Sequence, residues 1–278
     1  MNLSDIFTGR LISEIPQALS ALCDALQDHT SLVELDLSDN AFGGRCADAM
    51  VPFLSNNTHF ETFRLTNNGL GIAGGQILSS ALLTNAEKCS KLGKQSSIRR
   101  IICGRNRLEN GSAGHWAKAF KALGGLVEIR MPQNGIRMEG VKAISEGLAD
   151  NHNLQILDLQ DNTMTKSGTR SLVKQLSAWP DLRELNLSDC LLGKAGGIAL
   201  ATKLGEGSNP KLEVLKLAFG EFDKRTVEIL SVAVAQHLTE LRSVDLSGNK
   251  VLEDDECFEE LRKALELNGH EDALDERE

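Results

Sequence analysis

The sequence contains no tyrosine and little aromatic residue of any kind. Nine phenylalanines and two tryptophans make up 4% of its 278 residues. A single large core usually contains more aromatic bulk, so this composition favours a modular core of Leu, Ile, Val and Ala. No apolar run approaches the roughly 18 residues of a membrane-spanning helix. The first residues also lack the basic segment and apolar stretch of a secretory signal.

Paired cysteines and metal-ligand motifs are missing as well. The six cysteines are widely spaced and form no C-x-x-C pair. Such spacing indicates reduced thiols in a cytosolic protein. The chain contains no P-loop, H-E-x-x-H or EF-hand sequence, and its six histidines form no ligand cluster. We therefore expect no metal site and no cofactor bound by the chain itself.

The net charge of −9 is unevenly distributed. Residues 253–278 contain 12 acidic and 3 basic side chains, so they account for all of it. Within the neutral remainder, residues 86–107 carry seven basic side chains and one acidic side chain, a local charge of +6. This cluster is either a phosphate-binding patch or a solvated insertion. Residues 270–278 are expected to begin a solvated acidic tail.

A repeated segment of the form L-x-x-L-x-L-x-x-N determines the predicted architecture. Eight copies begin at Leu32, Phe60, Ile98, Leu126, Leu154, Leu182, Leu212 and Leu241. They are 28 to 30 residues apart, except for 38 residues between the second and third copies. The extra residues coincide with a lysine-rich stretch at 86–97. This is the leucine-rich repeat pattern.

Each copy predicts a short strand, a turn at the Asn position and a helix. The expected fold is an α/β leucine-rich-repeat solenoid, a ribonuclease-inhibitor-like horseshoe with a parallel sheet on its concave face and helices on its convex face. We expect residues 1–252 to form this solenoid, with a partial repeat before the eight complete ones. Residues 253–269 are expected to form a capping helix. Because Met1–Ile6 reads as the tail of a strand, we also expect further repeats upstream.

The Asn positions and their neighbours have different predicted roles. In this type of repeat the Asn side chain turns inward and bonds backbone groups of adjacent turns, which predicts a structural asparagine ladder of Asn40, Asn68, Asn106, Asn134, Asn162 and Asn249. The residue before each should point outward along one edge, and we call these residues the edge row: Asp39, Asn67, Arg105, Gln133, Asp161 and Asp189. A polar row without a core role is a candidate binding surface. The strand residues beside it mix both charge signs without stacked aromatics, which argues against nucleic-acid binding.

Residues 69–74 match the dinucleotide-binding pattern G-x-G-x-x-G between a predicted strand and a predicted helix. Gly71 and Gly74 also fall on positions where other repeats have glycine. A tight turn with close helix packing therefore competes with a nucleotide site as the explanation.

Several strings exceed what a generic repeat requires. They are SDIFTGR (4–10), LSDNAFG (37–43), NNGLG (67–71), IICGRNRLENGS (101–112), QNGIR (133–137), LDLQDNT (157–163) and WPDLRELNLSDC (179–190). Together they resemble the family of GTPase-activating proteins of the small GTPase Ran, and its fungal members most. The resemblance extends over nearly the whole chain.

The resemblance implies an activator of GTP hydrolysis on Ran, not an enzyme with its own reaction centre. Its binding partner is Ran in the GTP form, which carries GTP and magnesium and whose own glutamine orients the attacking water. By motif, Asn67 in NNGLG is the residue that positions this glutamine, without an arginine finger. Arg10, which closes SDIFTGR, and Arg107, the second arginine of GRNR, match arginines that engage Ran. The edge residues Asp39, Arg105, Gln133 and Asp161 are further expected partner contacts.

The resemblance also implies a monomer that acts in the cytoplasm, or in part at the nucleus or nuclear envelope. A ternary complex with a Ran-binding protein is expected, and neither nucleic acid nor a membrane is an expected partner. The alternative is a non-catalytic protein-interaction scaffold of ribonuclease-inhibitor type.

Overall fold

The computed structural model describes residues 1–252 and 255–275, and these residues divide into two compact units. Unit 1 consists of Met1–Ile136 and Ala143–Asn151. Unit 2 consists of Arg137–Lys142 and His152–Glu278. No helix in the described part of the chain is both long and apolar enough to span a membrane.

Short strands alternate with helices in both units. The strands are β1 Glu34–Asp36, β2 Thr62–Arg64, β3 Arg100–Ile102, β4 Glu128–Arg130, β5 Ile156–Asp158, β6 Glu184–Asn186, β7 Val214–Lys216 and β8 Ser243–Asp245. The helices are α1 Ile15–Leu26, α2 Ala47–Asn56, α3 Gly71–Lys91, α4 Glu109–Leu123, α5 Met138–Leu148, α6 Thr165–Val173, α7 Gly193–Leu204, α8 Lys224–Gln236 and α9 Glu256–Leu267. Two 3-10 helices cover Gly44–Cys46 and Leu176–Ala178.

The strands of each unit pair in parallel and in sequence order. In unit 1 the first residue of β1 pairs with the first residue of β2, and β3 and β4 continue in the same register. In unit 2 the four strands β5 to β8 pair in the same way. Parallel strands connected through helices confirm the predicted α/β leucine-rich-repeat fold.

The repeat pattern explains why each strand has one buried centre. In β1, Leu35 is buried between two partly exposed residues, and Leu37 after the strand is buried again. This alternation follows from the period of two along a strand, which sends the pattern's leucines to one side. Helices α2, α3 and α4 pack on one another in sequence order. Stacked repeats thereby bury a continuous aliphatic core.

The ten extra residues between the second and third repeats lengthen a helix and the loop after it, and they leave the strand register unchanged. Helix α3 has 21 residues and ends within the lysine-rich stretch. Lys88 Nζ donates to Asn56 Oδ1 at 3.0 Å, and Lys94 Nζ donates to Thr58 Oγ1 at 3.0 Å. These lysines therefore contact the end of α2 and the loop that precedes β2.

A second set of buried asparagines, at positions that the L-x-x-L-x-L-x-x-N pattern does not include, lies within helix α3 or between a helix and the next strand. It consists of Asn57, Asn85, Asn151 and Asn209. Asn85 Nδ2 donates to the carbonyl oxygens of Leu54 and Asn57, at 2.9 and 2.7 Å. Such side chains satisfy carbonyl groups that helix ends leave without partners.

The first residues add to the edge of β1. Asn2 bridges to Asp36 in parallel, and the N–H of Leu3 donates to the Asp36 carbonyl at 2.8 Å. Leu3 thus takes the same place in its turn as Leu37 takes in the next one.

Part of the segment 270–278, where we expect a solvated tail to begin, instead pairs with the sheet, whereas Glu271 and Asp272 are exposed. Leu274 bridges to Val244 of β8 in parallel, and Ala273 is 5% exposed. The N–H of Val244 donates to the Ala273 carbonyl at 2.7 Å. Pairing satisfies backbone groups at the β8 edge, which favours it over solvation for these residues. The expected capping helix at 253–269 is the shorter α9, and residues 253, 254 and 276–278 lie outside the described residues.

Candidate functional site

The edge row shares one unusual backbone conformation. All six of its residues have positive φ angles between 53° and 60°. The left-handed region is disfavoured for side chains other than those of Gly, Asn and Asp, yet Arg105 and Gln133 adopt it too. The tight turn after each strand imposes this conformation, and it turns each side chain away from the core.

The asparagine ladder fixes these turns relative to one another in unit 1. The N–H of Asn40 donates to Asn68 Oδ1 at 3.0 Å, and the N–H of Asn68 donates to Asn106 Oδ1 at 3.0 Å. The N–H of Asn106 continues to Asn134 Oδ1 at 2.9 Å. Each Nδ2 then reaches back to a carbonyl of the preceding turn, as Asn106 does to Leu65 at 2.7 Å. Buried amides with these partners make the turns rigid.

The edge of unit 1 contains an open depression of about 600 Å³. Its lining residues are Ala41, Gly43, Asn67, Asn68, Gly69, Arg105, Arg107 and Gln133. Three repeats supply the predicted residues among them, Asn67, Arg105, Arg107 and Gln133. A depression of this openness suits contact with a protein surface better than enclosure of a small ligand.

Positive charge dominates the polar lining of this depression. Arg105 and Arg107 are exposed, and both have positive φ angles of 55°. Within residues 1–252 and 255–275, no carboxylate forms an ion pair with either guanidinium. Both guanidinium groups therefore remain available to a negatively charged partner surface.

Asn67 lies on the same depression with a constrained side chain. Its N–H donates to the Gly104 carbonyl at 2.9 Å, and its Nδ2 donates to Asp39 Oδ1 at 2.9 Å. No described residue donates a hydrogen bond to its Oδ1. The amide therefore offers an acceptor oxygen from a fixed position.

Other predicted contact residues lie elsewhere. Arg10 is exposed after a turn that Phe7 anchors against Phe42, with ring centroids 5.6 Å apart, and it does not line the depression. Asp39 does not line the depression either. Asp161 belongs to unit 2, in the turn after β5.

Unit 2 contains one further residue at the repeat position of the edge row, which the sequence pattern did not mark. Phe219 takes the same place in its repeat, has a φ of 52° and is 58% exposed. Its turn ends in glycine, which hid the position from a search for Asn. A Cβ on Gly248 would lie 2.3 Å from the Phe219 ring, so the ring lies directly over that glycine.

The basic stretch at 86–107 is two separate features. Lys88 and Lys94, as described above, contact the end of α2 and the loop that precedes β2, whereas Arg105 and Arg107 follow β3. Residues that precede parallel strands and residues that follow them lie at opposite ends of the strands. The side chains that make up the +6 charge therefore do not form one patch. Only the two arginines reach the depression.

The glycines at 69–74 are explained by the repeat. Gly69 and Gly71 have φ angles of 62° and 64°, and the Gly71 N–H donates to the Asn106 carbonyl at 2.9 Å. A Cβ on Gly74 would lie 3.3 Å from the Gly44 Cα. The N–H that would face a phosphate is thus already bonded within the protein, which favours the turn-and-packing explanation.

Part of the string IICGRNRLENGS also has a structural cause. A Cβ on Gly104 would lie 2.8 Å from Pro132 Cγ, and one on Gly111 would lie 2.7 Å from Ile72 Cγ2. Close approach of neighbouring repeats requires these glycines. The sequence alone could not assign this cause, because Pro132 and Ile72 belong to adjacent repeats.

The thiols near the site are inert. Cys103 is fully buried, and burial raises the pKa of its thiol to about 12, although a hydrogen bond from Asn106 acts in the opposite direction. A neutral thiol is a poor nucleophile and a poor metal ligand. Among the described residues, no three His, Cys, Asp or Glu side chains are grouped so that they could hold a metal ion.

Comparison with known proteins confirms the leucine-rich repeat and indicates one family among the proteins that contain it. The leucine-rich-repeat family model matches residues 28–50, 150–173 and 180–201. Ran GTPase-activating protein 1 of Saccharomyces cerevisiae is 36% identical over 271 residues, which cover 96% of this chain and 66% of the yeast protein. Ran GTPase-activating protein 1 of Xenopus laevis is 48% identical over 48% of this chain and 23% of the frog protein. The chain belongs to the Ran GTPase-activating protein family.

A more distant relative is a ribonuclease inhibitor, the type of protein named in the alternative prediction of a non-catalytic scaffold. The ribonuclease inhibitor of Sus scrofa is 27% identical over 262 residues, 90% of this chain and 53% of the inhibitor.

The chain spans less than two thirds of the length of the two Ran GTPase-activating proteins, 66% of the yeast protein and 23% of the frog protein. The comparisons thus show the family, the leucine-rich-repeat fold and the similarity to the yeast protein.

Proposed function

We propose that this chain binds Ran in its GTP form and accelerates Ran's hydrolysis of GTP. One observation carries the proposal: Asn67 lines an open, basic depression in a chain that matches the yeast Ran GTPase-activating protein over 96% of its length. The GTPase supplies the nucleotide, the magnesium ion and the glutamine that orients water. The chain then acts as a GTPase activator without a cofactor of its own.

Asn67 would contact the GTPase's glutamine and hold it beside the attacking water. A fixed amide can do this because its backbone and Nδ2 are already bonded, so little freedom is lost when the complex forms. Closure of the depression against the GTPase would also exclude solvent, which strengthens polar contacts there. GTPase activators reach about 10³–10⁵-fold acceleration, equivalent to roughly 4–7 kcal/mol of barrier.

Arg105 and Arg107 would steer and bind the GTPase rather than enter its nucleotide site. Their exposed, unpaired charges at the rim support an electrostatic role in association. An arginine finger would instead contribute about 10³–10⁵-fold to the hydrolysis rate. The two roles differ in the quantity that an alanine substitution changes, which is affinity in the first case and rate in the second.

The remaining contacts in the proposal are peripheral. Gln133 lines the depression and would add a polar contact, whereas Arg10 and Asp161 would meet the GTPase outside it. We also propose a cytoplasmic monomer that tolerates a Ran-binding protein on the same GTPase. Light scattering of the purified chain tests the monomer, and hydrolysis assays with added Ran-binding protein test the ternary complex.

A single-turnover assay tests the activity directly. Ran loaded with radiolabelled GTP is mixed with excess chain, and released phosphate is followed over time. We expect acceleration of at least about 10³-fold at saturation and none with a Ras-type GTPase loaded in the same way. Binding of Ran·GTP without any increase in hydrolysis would instead support the scaffold alternative.

A further inference from the structure

A side-chain hydrogen bond joins Asp39 and Asn67, which belong to successive repeats. Both residues are in the left-handed region, with φ angles of 60° and 58°. The N–H of Asp39 donates to the Thr66 carbonyl at 2.8 Å, and the N–H of Asn67 donates to the Gly104 carbonyl at 2.9 Å. With both backbones fixed, the bond from Asn67 Nδ2 to Asp39 Oδ1 at 2.9 Å restrains the remaining side-chain torsions.

The two side chains differ in what they face. Asn67 lines the depression, and Asp39 does not, although both belong to the edge row. Asp39 lies one repeat before Asn67 in the edge row, and its exposed carboxylate contacts the Asn67 amide from that side. The hydrogen bond to Asn67 indicates a second role for Asp39, besides the direct contact with the GTPase that we expect from the sequence.

We infer that Asp39 is a positioning residue that orients the Asn67 amide toward the GTPase. A carboxylate can only accept hydrogen bonds, so it selects the amide orientation in which Nδ2 faces Asp39. The flipped orientation would bring Asn67 Oδ1 against Asp39 Oδ1, and two acceptors repel. Asn67 Oδ1 is consequently presented away from Asp39, where no described residue donates to it.

This orientation determines which end of the partner's glutamine Asn67 can bind. An acceptor oxygen pairs with the N–H₂ end of a glutamine amide, which leaves the glutamine's carbonyl oxygen to accept from the attacking water. Asp39 thus selects a productive polarity for the Asn67 amide. The inference rests on the proposed function and specifies how its central residue is held.

Four variants test this arrangement in the single-turnover assay, each with its affinity for Ran·GTP measured separately. They are Asp39→Ala, Asp39→Asn, Asn67→Asp and the exchange variant with both Asp39→Asn and Asn67→Asp. In the exchange variant the amide introduced at position 39 would donate to one oxygen of the carboxylate introduced at position 67. The other oxygen of that carboxylate would remain an outward acceptor. Asn67→Asp alone places two carboxylates at hydrogen-bond distance, and their repulsion disrupts the arrangement.

We expect Asp39→Ala to lower the saturated hydrolysis rate by about tenfold or more, because small displacements of a positioned group cost up to about 10²-fold. Its dissociation constant for Ran·GTP should change by less than about threefold. Asp39→Asn should fall between wild type and Asp39→Ala, because an amide oxygen can accept from Asn67 but no longer excludes the flipped state. The exchange variant should hydrolyse at least about tenfold faster than Asn67→Asp.

Asp48→Ala is the matched control, because Asp48 is an exposed carboxylate of unit 1 in helix α2. It should leave both rate and affinity unchanged, and thermal unfolding verifies that every variant is folded. A raised dissociation constant with an unchanged saturated rate in Asp39→Ala would show a direct contact and overturn the inference. An exchange variant no faster than Asn67→Asp would also overturn it. If wild type itself fails to stimulate Ran, the proposed function fails, and the inference fails with it.

Discussion

The main-chain N–H of Asn68 donates to the side-chain oxygen of Asn106 at 3.0 Å. The equivalent bonds from Asn40 to Asn68 and from Asn106 to Asn134 are 3.0 and 2.9 Å long. The first pair is separated by 38 residues, and the other two by 28. The longer helix α3 and the loop after it therefore absorb the insertion, and the turns that carry Asn67 and Arg105 keep the spacing of uninterrupted repeats.

Removal of a ladder side chain should destabilise unit 1. Asn106 is fully buried, and Asn106→Ala would leave the Asn68 N–H and the Leu65 carbonyl without their partners. We expect a loss of about 2–4 kcal/mol in the free energy of unfolding, measured by urea denaturation. Asn56→Ala, at an exposed asparagine of α2, should cost less than about 1 kcal/mol. Equal losses in the two variants would contradict a structural ladder.

Asn67→Ala should separate catalysis from binding. The substitution removes the acceptor oxygen at the depression but leaves Arg105 and Arg107 in place, so affinity for Ran·GTP should fall by less than about fivefold. The saturated rate should fall by about 10²-fold or more, as for other groups that position a reactant. Single-turnover hydrolysis at saturating chain gives the rate, and a titration with non-hydrolysable GTP on Ran gives the affinity. Wild-type rates in the variant would rule out the proposed role.

Arg105→Ala and Arg107→Ala should slow association with Ran in a salt-dependent manner. Exposed charges steer encounter over about 10 Å at 0.1 M salt and much less at higher salt. We expect a several-fold lower association rate at 50 mM salt and convergence with wild type near 0.5 M, measured by stopped flow. Lys121→Ala removes the same charge from helix α4, where Lys121 is 70% exposed and 3.9 Å from Asp150, and should have little effect. A fall of about 10³-fold in saturated rate would instead reveal an arginine finger.

Because the Cys103 thiol is buried, we expect the folded state to be less stable at alkaline pH. Burial raises its folded-state pKa from 9.0 to about 12, so between these pH values the unfolded chain releases a proton that the folded chain retains. The free energy of unfolding should therefore be unaffected by this thiol below pH 9. It should then fall by up to about 1.4 kcal/mol per pH unit toward pH 12. Urea denaturation of Cys103→Ala at pH 8 and pH 10 should show a smaller decrease between the two than wild type does.

Much of the architecture followed from the repeat pattern. The spacing of Leu and Asn predicted the short parallel strands, the helices and the inward asparagines, because these depend on local periodicity that recurs along the chain. The edge row was also predicted from its place beside each Asn. The positive φ angles of Asp39 and Asn67 turn these side chains away from the core, as that prediction requires.

Other features needed contacts between distant residues. The asparagines at 57, 151 and 209 each lie three residues before a repeat begins, but Asn85 lies 13 before, and the carbonyl partners of the four are up to 33 residues away. The pairing of Leu274 with Val244 was missed because acidic composition near it suggested solvent, whereas the unpaired edge of β8 favours a strand. Composition does not show which backbone groups lack partners.

By itself, the sequence determined the repeat, the polar edge and the family resemblance, because each depends on which residues recur at which spacing. Only the tertiary structure decided that Lys88 and Arg107 lie at opposite ends of the strands and that the Asn67 amide bonds the Asp39 carboxylate. The physical reason is that residues about 28 positions apart become neighbours only when the turns stack. Hydrogen-bond geometry between the stacked turns then decides which side chain is presented and which one holds it.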